Sequence, residues 1–296
     1  MAKVSVMFPS RNEKFLQRTV ADVLEKARGD IEVIVCADGY WPNPPLPDDP
    51  RLVVLHRGKA QGMRPGINAM CDIASGPYLM KMDAHCMVAE GFDVTLQENI
   101  QDNWIVTLRR YALDPEAWKI DTSNSKYPVD YHYLAFPWER PDDPDCGLHG
   151  TPWTARREAR KDILFDDEMS SQGSCWFMTK THWRRLGDME IKNYGNFVHE
   201  FQELGMKTWL GGGEVKVNKH TWYAHLYKGQ RYGRGYSLGP NGHKEGVKWC
   251  VNHWMFDRWA ERQRDLRWLV ERFWPIPGWP TDWEAEIAKR RSLLTT

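Results

Sequence analysis

The chain of 296 residues has no Cys-x-x-Cys pair, no net formal charge and no apolar run long enough to cross a membrane. Its six cysteines (Cys36, Cys71, Cys86, Cys146, Cys175 and Cys250) lie far apart. That spacing suits reduced thiols in a cytoplasmic protein better than a disulfide frame or a zinc site. With 40 basic and 40 acidic residues the chain does not coat nucleic acid by bulk electrostatics, although a local basic patch stays open. The opening Met-Ala-Lys-Val-Ser-Val-Met-Phe has too short an apolar run for a signal peptide. A cytoplasmic location is therefore expected, in the host cytoplasm if the protein is viral. Internal repeats and low-complexity segments are also missing. The length leaves room for one large α/β core or two modest ones.

Tryptophan is in excess, with 16 residues, seven of them between Trp249 and Trp283. Such an excess suits either a ligand surface or a packed helical core. Apolar runs at Val4 to Phe8, Ile31 to Cys36, Leu52 to Leu55 and Tyr78 to Met82 read as buried strands. Between them, helical spacing runs from Phe15 to Ala27 and from Gly62 to about Ile73, closed by Gly29 and Gly76. Strands alternating with helices predict a parallel sheet, whose ligands sit beyond the carboxyl ends of the strands. Three polar clusters fall at those ends: Pro9 to Glu13, Asp38-Gly39 and Asp83-Ala84-His85.

Residues 111–165 lose periodicity and read as an excursion over the sheet. A strand at 173–178, a short helix at 181–186 and a longer helix at 197–206 follow. Next come a turn and strand over 207–217 and a glycine-rich loop over 220–242. From about residue 245 the chain is helical, broken by Pro275, Pro277 and Pro280.

Asp83 and His85 stand two residues apart at a strand end, where a carboxylate and an imidazole can both reach one cation. Mixed oxygen and nitrogen ligation suits a divalent ion such as manganese. A solvated loop after a core strand is the competing reading. Asp38 can be a simple turn former, Arg64 a surface charge, Glu13 a helix cap, and Glu200 with Glu203 a pair of solvated carboxylates on one helix face. His225 can be a satisfied histidine near a strand end, with His220 a less suitable substitute.

The order of landmarks nevertheless resembles the GT-A glycosyltransferases, most closely the catalytic domain of polypeptide N-acetylgalactosaminyltransferases within the wider family-2-like group. Phe8-Pro9-Ser10-Arg11-Asn12-Glu13 is similar to the group's Pro-x-x-Asn-Glu. The stretch from Gln61-Gly62-Met63-Arg64 into Asp83-Ala84-His85-Cys86 matches its Asp-x-His-Cys metal motif. Glu200-Phe201-Gln202-Glu203 ahead of Trp209-Leu210-Gly211-Gly212-Gly213 is similar to Glu-Asn-x-Glu and Trp-x-x-Gly-Gly, and Ala224-His225-Leu226-Tyr227-Lys228 to Gly-His-Val-Phe-Arg. The resemblance runs from about Lys3 to Arg231.

It implies an α/β GT-A (nucleotide-diphospho-sugar transferase) fold, with a mostly parallel central sheet flanked by helices and a helical Trp-rich C-terminal extension. The expected division is a catalytic domain over 1–243, with nucleotide-binding (1–110) and acceptor-binding (111–243) halves, and an extension over 244–296. Asp83, His85 and His225 would hold Mn2+ or Mg2+. Pro9, Arg11, Asn12, Asp38, Gly62, Arg64 and Trp209 would bind a nucleotide-sugar donor, most simply a UDP-sugar. Glu200, Glu203 and Asp83 would carry catalysis. Phe201 stands where inverting members of the broader group carry an aspartate base, and phenylalanine takes no proton, which favours transfer with retention. A register slip of one residue would instead make Glu200 the base.

The expected activity is hexosyl or N-acetylhexosaminyl transfer to an acceptor hydroxyl. Lys228, Arg231, Arg234, Lys244 and Lys248, followed by tryptophans and arginines alternating from Trp254 to Trp268, suggest DNA carrying hydroxymethylpyrimidine as acceptor, unless these aromatics are core. The acceptor face would comprise the 111–165 excursion, the 220–242 loop and the tail. A polysaccharide, glycolipid or protein acceptor is the alternative, as is a catalytically silent nucleotide- or carbohydrate-binding protein.

Overall fold

A computed structural model describes residues 1–123, 127–138, 147–236 and 244–293, and the structural statements below concern those residues. The first half contains β1 (Val4–Ser10), α1 (Leu16–Lys26), β2 (Ile31–Asp38), β3 (Leu52–Arg57), α2 (Met63–Ile73), β4 (Tyr78–Met82), β5 (Cys86–Val88), α3 (Phe92–Gln97), β6 (Trp104–Asp114) and β7 (Lys119–Ile120). Next come β8 (His132–Leu134), β9 (Gly150–Pro152), α4 (Thr154–Ala159), β10 (Phe165–Asp167), β11 (Cys175–Thr179) and α5 (Lys180–Leu186). The chain continues through α6 (Glu200–Leu210), β12 (Glu214–His225), α7 (Gly229–Tyr232), α8 (Lys244–Met255), α9 (Leu266–Phe273) and α10 (Trp283–Ser292).

The main sheet has the order β10-β12-β6-β11-β4-β1-β2-β3, with β5 and β7 attached to β12 and β6. Strands β3, β2, β1 and β4 are parallel neighbours, as helical crossovers between strands require. β1 and β2 are buried almost throughout because helices cover both faces, which is why they read as continuous apolar runs. The parallel run ends at β4, where β11 enters antiparallel; β12 then pairs parallel with β6 and antiparallel with β5. The sheet is therefore mixed rather than mostly parallel. Its second half lacks the strand-helix-strand crossovers that would keep every strand in one direction.

Two boundaries also differ from expectation. The expected loop from residue 220 begins as strand, because β12 runs on to His225, and His220 is exposed. Helix α6 starts at Glu200, after His199 in the left-handed region, and runs through Leu210. Every residue of α6 except Lys207 is buried. A helix enclosed all round needs partners on both sides, and α6 is packed between the sheet and the C-terminal helices.

Those C-terminal helices settle the role of the aromatic tail. Cys250, Trp254, Met255, Leu269, Val270 and Phe273 share one apolar cluster with Tyr194, Phe201 and Trp209. Two arginines cover this layer from its rim, Arg264 at 4.1 Å and the exposed Arg272 at 5.5 Å from the Trp268 ring. Apart from the exposed Trp274, the tail tryptophans lie in this core or pack against it and do not form a free stacking platform. The expected boundary at 243/244 abuts residues outside those described. Five cysteines, Cys36, Cys71, Cys86, Cys175 and Cys250, are free and buried, while Cys146 lies outside the described residues. No described helix is long and apolar enough to cross a membrane.

Trp254 is 1 % exposed and its indole donates to the Tyr194 hydroxyl at 2.7 Å. Trp254→Ala is expected to remove about 3–5 kcal/mol of stability, read as an earlier midpoint in chemical denaturation.

Candidate active site

Three strand ends build the site. After β4 the chain leaves the ladder at Asp83, whose amide donates to the Ser174 carbonyl at 2.9 Å. It re-enters as β5, where Cys86 pairs with His225 and the Leu226 amide donates to the His85 carbonyl at 3.1 Å. The β5/β12 register thus sets His225 against Asp83 and His85 although 140 residues separate His85 from His225 in sequence. His225 Nε2 lies 3.2 Å from Asp83 Oδ2 and His85 Nε2 lies 3.9 Å from the same oxygen. One ligand atom from each of the three lies within 4.8 Å of the others.

The donor chemistry fits a divalent cation. His85 Nδ1 sits 3.1 Å from Glu13 Oε2, which fixes the ring and leaves Nε2 turned toward Asp83. A carboxylate behind a ligating imidazole is the usual outer-sphere support. Burial pushes the His225 imidazole down to about 4, against the raising effect of its Asp83 contact, so it is neutral and able to ligate at physiological pH. Burial opposes ionisation of Asp83, but Lys81, His85 and His225 outweigh it and hold the carboxyl far below its ordinary range. Glu13 is likewise held low: burial works against it, and the His85 and Lys228 contacts prevail.

The triad edges a cavity of about 720 Å³. Its walls include Pro9 and Ser10 at the end of β1, Arg11 just after it, Cys36 and Asp38 from β2, and Gln61 to Met63 at the start of α2. The far side is closed by Gly195 to Phe197 and by Lys228, Arg234 and Tyr236. Asp38 accepts the Gln61 and Gly62 amides at 2.8 Å each, so it shapes the turn that faces the cavity. Gly62 has φ +102, and a Cβ there would stand 2.4 Å from Asn196, which excludes every other residue. Arg11 stacks 5.0 Å from the Tyr236 ring.

Of the residues expected to bind the nucleotide, Pro9, Arg11, Asp38 and Gly62 line this cavity, and Asn12 instead donates to the Gly235 carbonyl at 2.9 Å. Arg64 and Trp209 do not reach it. Arg64 is fully buried, 4.0 Å over the Tyr194 ring, and donates to the carbonyls of Val198, Glu190 and His199 and to Glu203. Four of its five N–H donors meet protein acceptors, and the side chain is sealed away from the cavity where a diphosphate would lie. Glu203 is correspondingly a structural partner of Arg64 and Lys207, not a cavity carboxylate. Trp209 is core, its indole bound to the Glu168 carbonyl at 3.2 Å. Each looked functional because its landmark spacing fits, whereas the side chain turns inward.

Glu200 sits behind the cavity wall, with Oε2 2.8 Å from Lys81 Nζ and Oε1 accepting the Trp176 indole at 2.7 Å. Burial raises its pKa against the pull of Lys81 and Trp176. Lys81 itself was not singled out in the sequence, although a lysine within Tyr-Leu-Met-Lys-Met, one strand period before Asp83, was a legible signal. Gly195 to Phe197 and Tyr236 carried no such signal.

A model of glycosyl transferase family 2 matches residues 5–164, just over half of the chain. A Drosophila melanogaster protein named "Putative polypeptide N-acetylgalactosaminyltransferase 13" is 26% identical over 254 residues, covering 77% of this chain and 42% of its own. A crystal structure of GalNAc-T7 with UDP, GalNAc and Mn2+ superposes with a TM-score of 0.69 at 17% identity, covering 87% of this chain and 49% of that one. The chain thus spans less than half the length of either relative.

Glu203→Gln leaves the buried Arg64 guanidinium without its carboxylate and is expected to cost about 3–5 kcal/mol. Denaturation should show that loss, while nucleotide affinity of the folded protein stays unchanged.

Proposed function

The chain belongs to glycosyl transferase family 2 and has the GT-A fold, and from that premise we propose that it transfers a sugar from a UDP-sugar to an acceptor hydroxyl with the help of a divalent cation. One observation carries this reading: Asp83, His85 and His225 converge at the edge of the cavity that Asp38, Gly62 and Arg11 enclose. The relative named as an N-acetylgalactosaminyltransferase and the solved structure with UDP and Mn2+ support the choice of donor and metal.

The protein's own groups have separable tasks. Asp83, His85 and His225 would hold manganese or magnesium, which supplies neutralisation of the diphosphate leaving group. Glu13 orients His85, and Lys228 pairs with Glu13. Arg11 and Arg234 border the cavity as cations for phosphate oxygens. Asp38 fixes the Gln61-Gly62 turn against which the nucleoside rests.

No carboxylate lining the cavity among the described residues is free to take a proton. Asp83 is engaged by Lys81 and His225, Glu13 by His85 and Lys228, and Asp38 by two amides. Phe201 is buried core, and Glu200, which is not among the cavity-lining residues, has one oxygen on Lys81 and the other on the Trp176 indole. This supports transfer with retention, a course that does not rely on a side-chain base for the acceptor.

The acceptor hydroxyl would reach the cavity past Lys228 and Arg234. Arg234 is exposed at the cavity and Arg231 is exposed in α7, which favours an acceptor bearing phosphate. Hydroxymethylated pyrimidine in duplex DNA is the acceptor tested first, and it now rests on these residues rather than on the aromatic tail.

A screen of UDP-sugars for UDP release with Mn2+, with and without hydroxymethylated DNA, tests the reading. Asp83→Ala is expected to lower release at least about 100-fold, and a chelator should abolish it. Full activity in either condition overturns the metal assignment, and no release from any UDP-sugar leaves a silent binding protein.

A further inference from the structure

Lys81 is a buried cation that the reading above leaves without a task. Its side chain is 1% exposed, and its Nζ lies 2.7 Å from Asp83 Oδ1, 2.8 Å from Glu200 Oε2 and 2.7 Å from the Gly173 carbonyl. Three acceptors use all three protons of the ammonium. The consequence for Asp83 is that Oδ1 is occupied, and Oδ2 is the oxygen facing His225 and His85. The consequence for Glu200 is that both oxygens are occupied, one by Lys81 and one by the Trp176 indole. Gly173 lies against that carboxylate: with φ +76, a Cβ on it would be 3.3 Å from Glu200 Oε2. Without the ammonium, Asp83 and Glu200 would be two carboxylates around one empty position, and a divalent ion is the natural replacement.

We propose that Lys81 is the positioning residue of the metal site, holding Asp83 so that a single oxygen meets the cation and keeping Glu200 out of the cation's shell. Lys81 thus divides two adjacent carboxylates into one ligand and one counter-ion. The inference rests on the metal reading above.

Mn2+ binding to the purified full chain, by calorimetry and by the electron paramagnetic resonance of the bound ion, tests it without turnover. Lys81→Met is expected to bind Mn2+ about tenfold more tightly, since a positive charge is lost and a second carboxylate is released. Glu200→Gln is expected to bind about three- to tenfold more weakly, since the whole ammonium charge then bears on Asp83. In the double variant the gain of Lys81→Met should shrink but not disappear, because the positive charge is still lost while no second carboxylate is left to join. An ion pair serving the fold alone would lower thermal stability in both single variants without moving the affinities in opposite directions. Affinity of Lys81→Met equal to or weaker than that of the wild type overturns the proposal. If that variant fails to fold, Glu200→Gln decides: weaker binding supports the role and unchanged binding overturns it. A wild-type protein that does not bind Mn2+ overturns the metal reading itself, which is distinguishable from failure of the variants alone.

Discussion

The register of β12 is the constraint on which the rest of the site depends. This strand pairs parallel with β6 along its length, with an irregularity between Asn218 and Trp222, and pairs antiparallel first with β10 and, at its end, with β5. A slip of one residue would turn His225 to the opposite face of the sheet and replace it with Ala224 or Leu226. Asp83 and His85 on one side and His225 on the other are therefore brought together by backbone hydrogen bonds before any cation is considered.

Around that ladder the molecule separates charge by depth. Near the cavity, Glu13, Asp83 and Asp38 are each held by a small set of cations, imidazoles or amides. Deeper, Arg64 and Glu203 form a pair sealed from solvent that ties the start of α2 to α6. Removing charges from water is costly unless their remaining hydrogen-bonding positions are filled. Arg64 meets that condition through the carbonyls of Val198 and His199 just ahead of α6 and of Glu190 in the segment between α5 and α6. The pair specifies how the two helices seat rather than contacting a ligand.

The first half of the fold was legible because its strands and helices obey simple periods: Val4 to Phe8, Ile31 to Cys36 and Tyr78 to Met82 are apolar runs, and Leu16, Val20, Val23 and Leu24 repeat at helical spacing. Asp83, His85, Asp38 and Arg11 stood out for the related reason that strand ends carry ligand groups in such sheets, and Gly62 through the family resemblance. Spacing does not reveal side-chain direction, and that is why Arg64, Glu203 and Trp209 were misplaced: landmark position locates a residue along the chain, not the way it points. The extension of β12 to His225 was hidden by polar residues, since Lys219, His220 and Thr221 interrupt the alternation. The tail was ambiguous from sequence because arginine beside tryptophan serves a core lining and a nucleic-acid platform equally well.

One chain of contacts has a wider consequence. Trp254 donates to Tyr194, the Tyr194 ring lies under Arg64, and the Arg64 amide donates to the carbonyl of Asn196, which belongs to the cavity wall. A survey of every substitution in this protein would therefore not show tolerance rising smoothly with distance from the cavity. Sensitive positions would reappear in α8, in a segment that holds no cavity residue among those described. Natural variation in the tail would then be filtered by the shape of a wall it never touches.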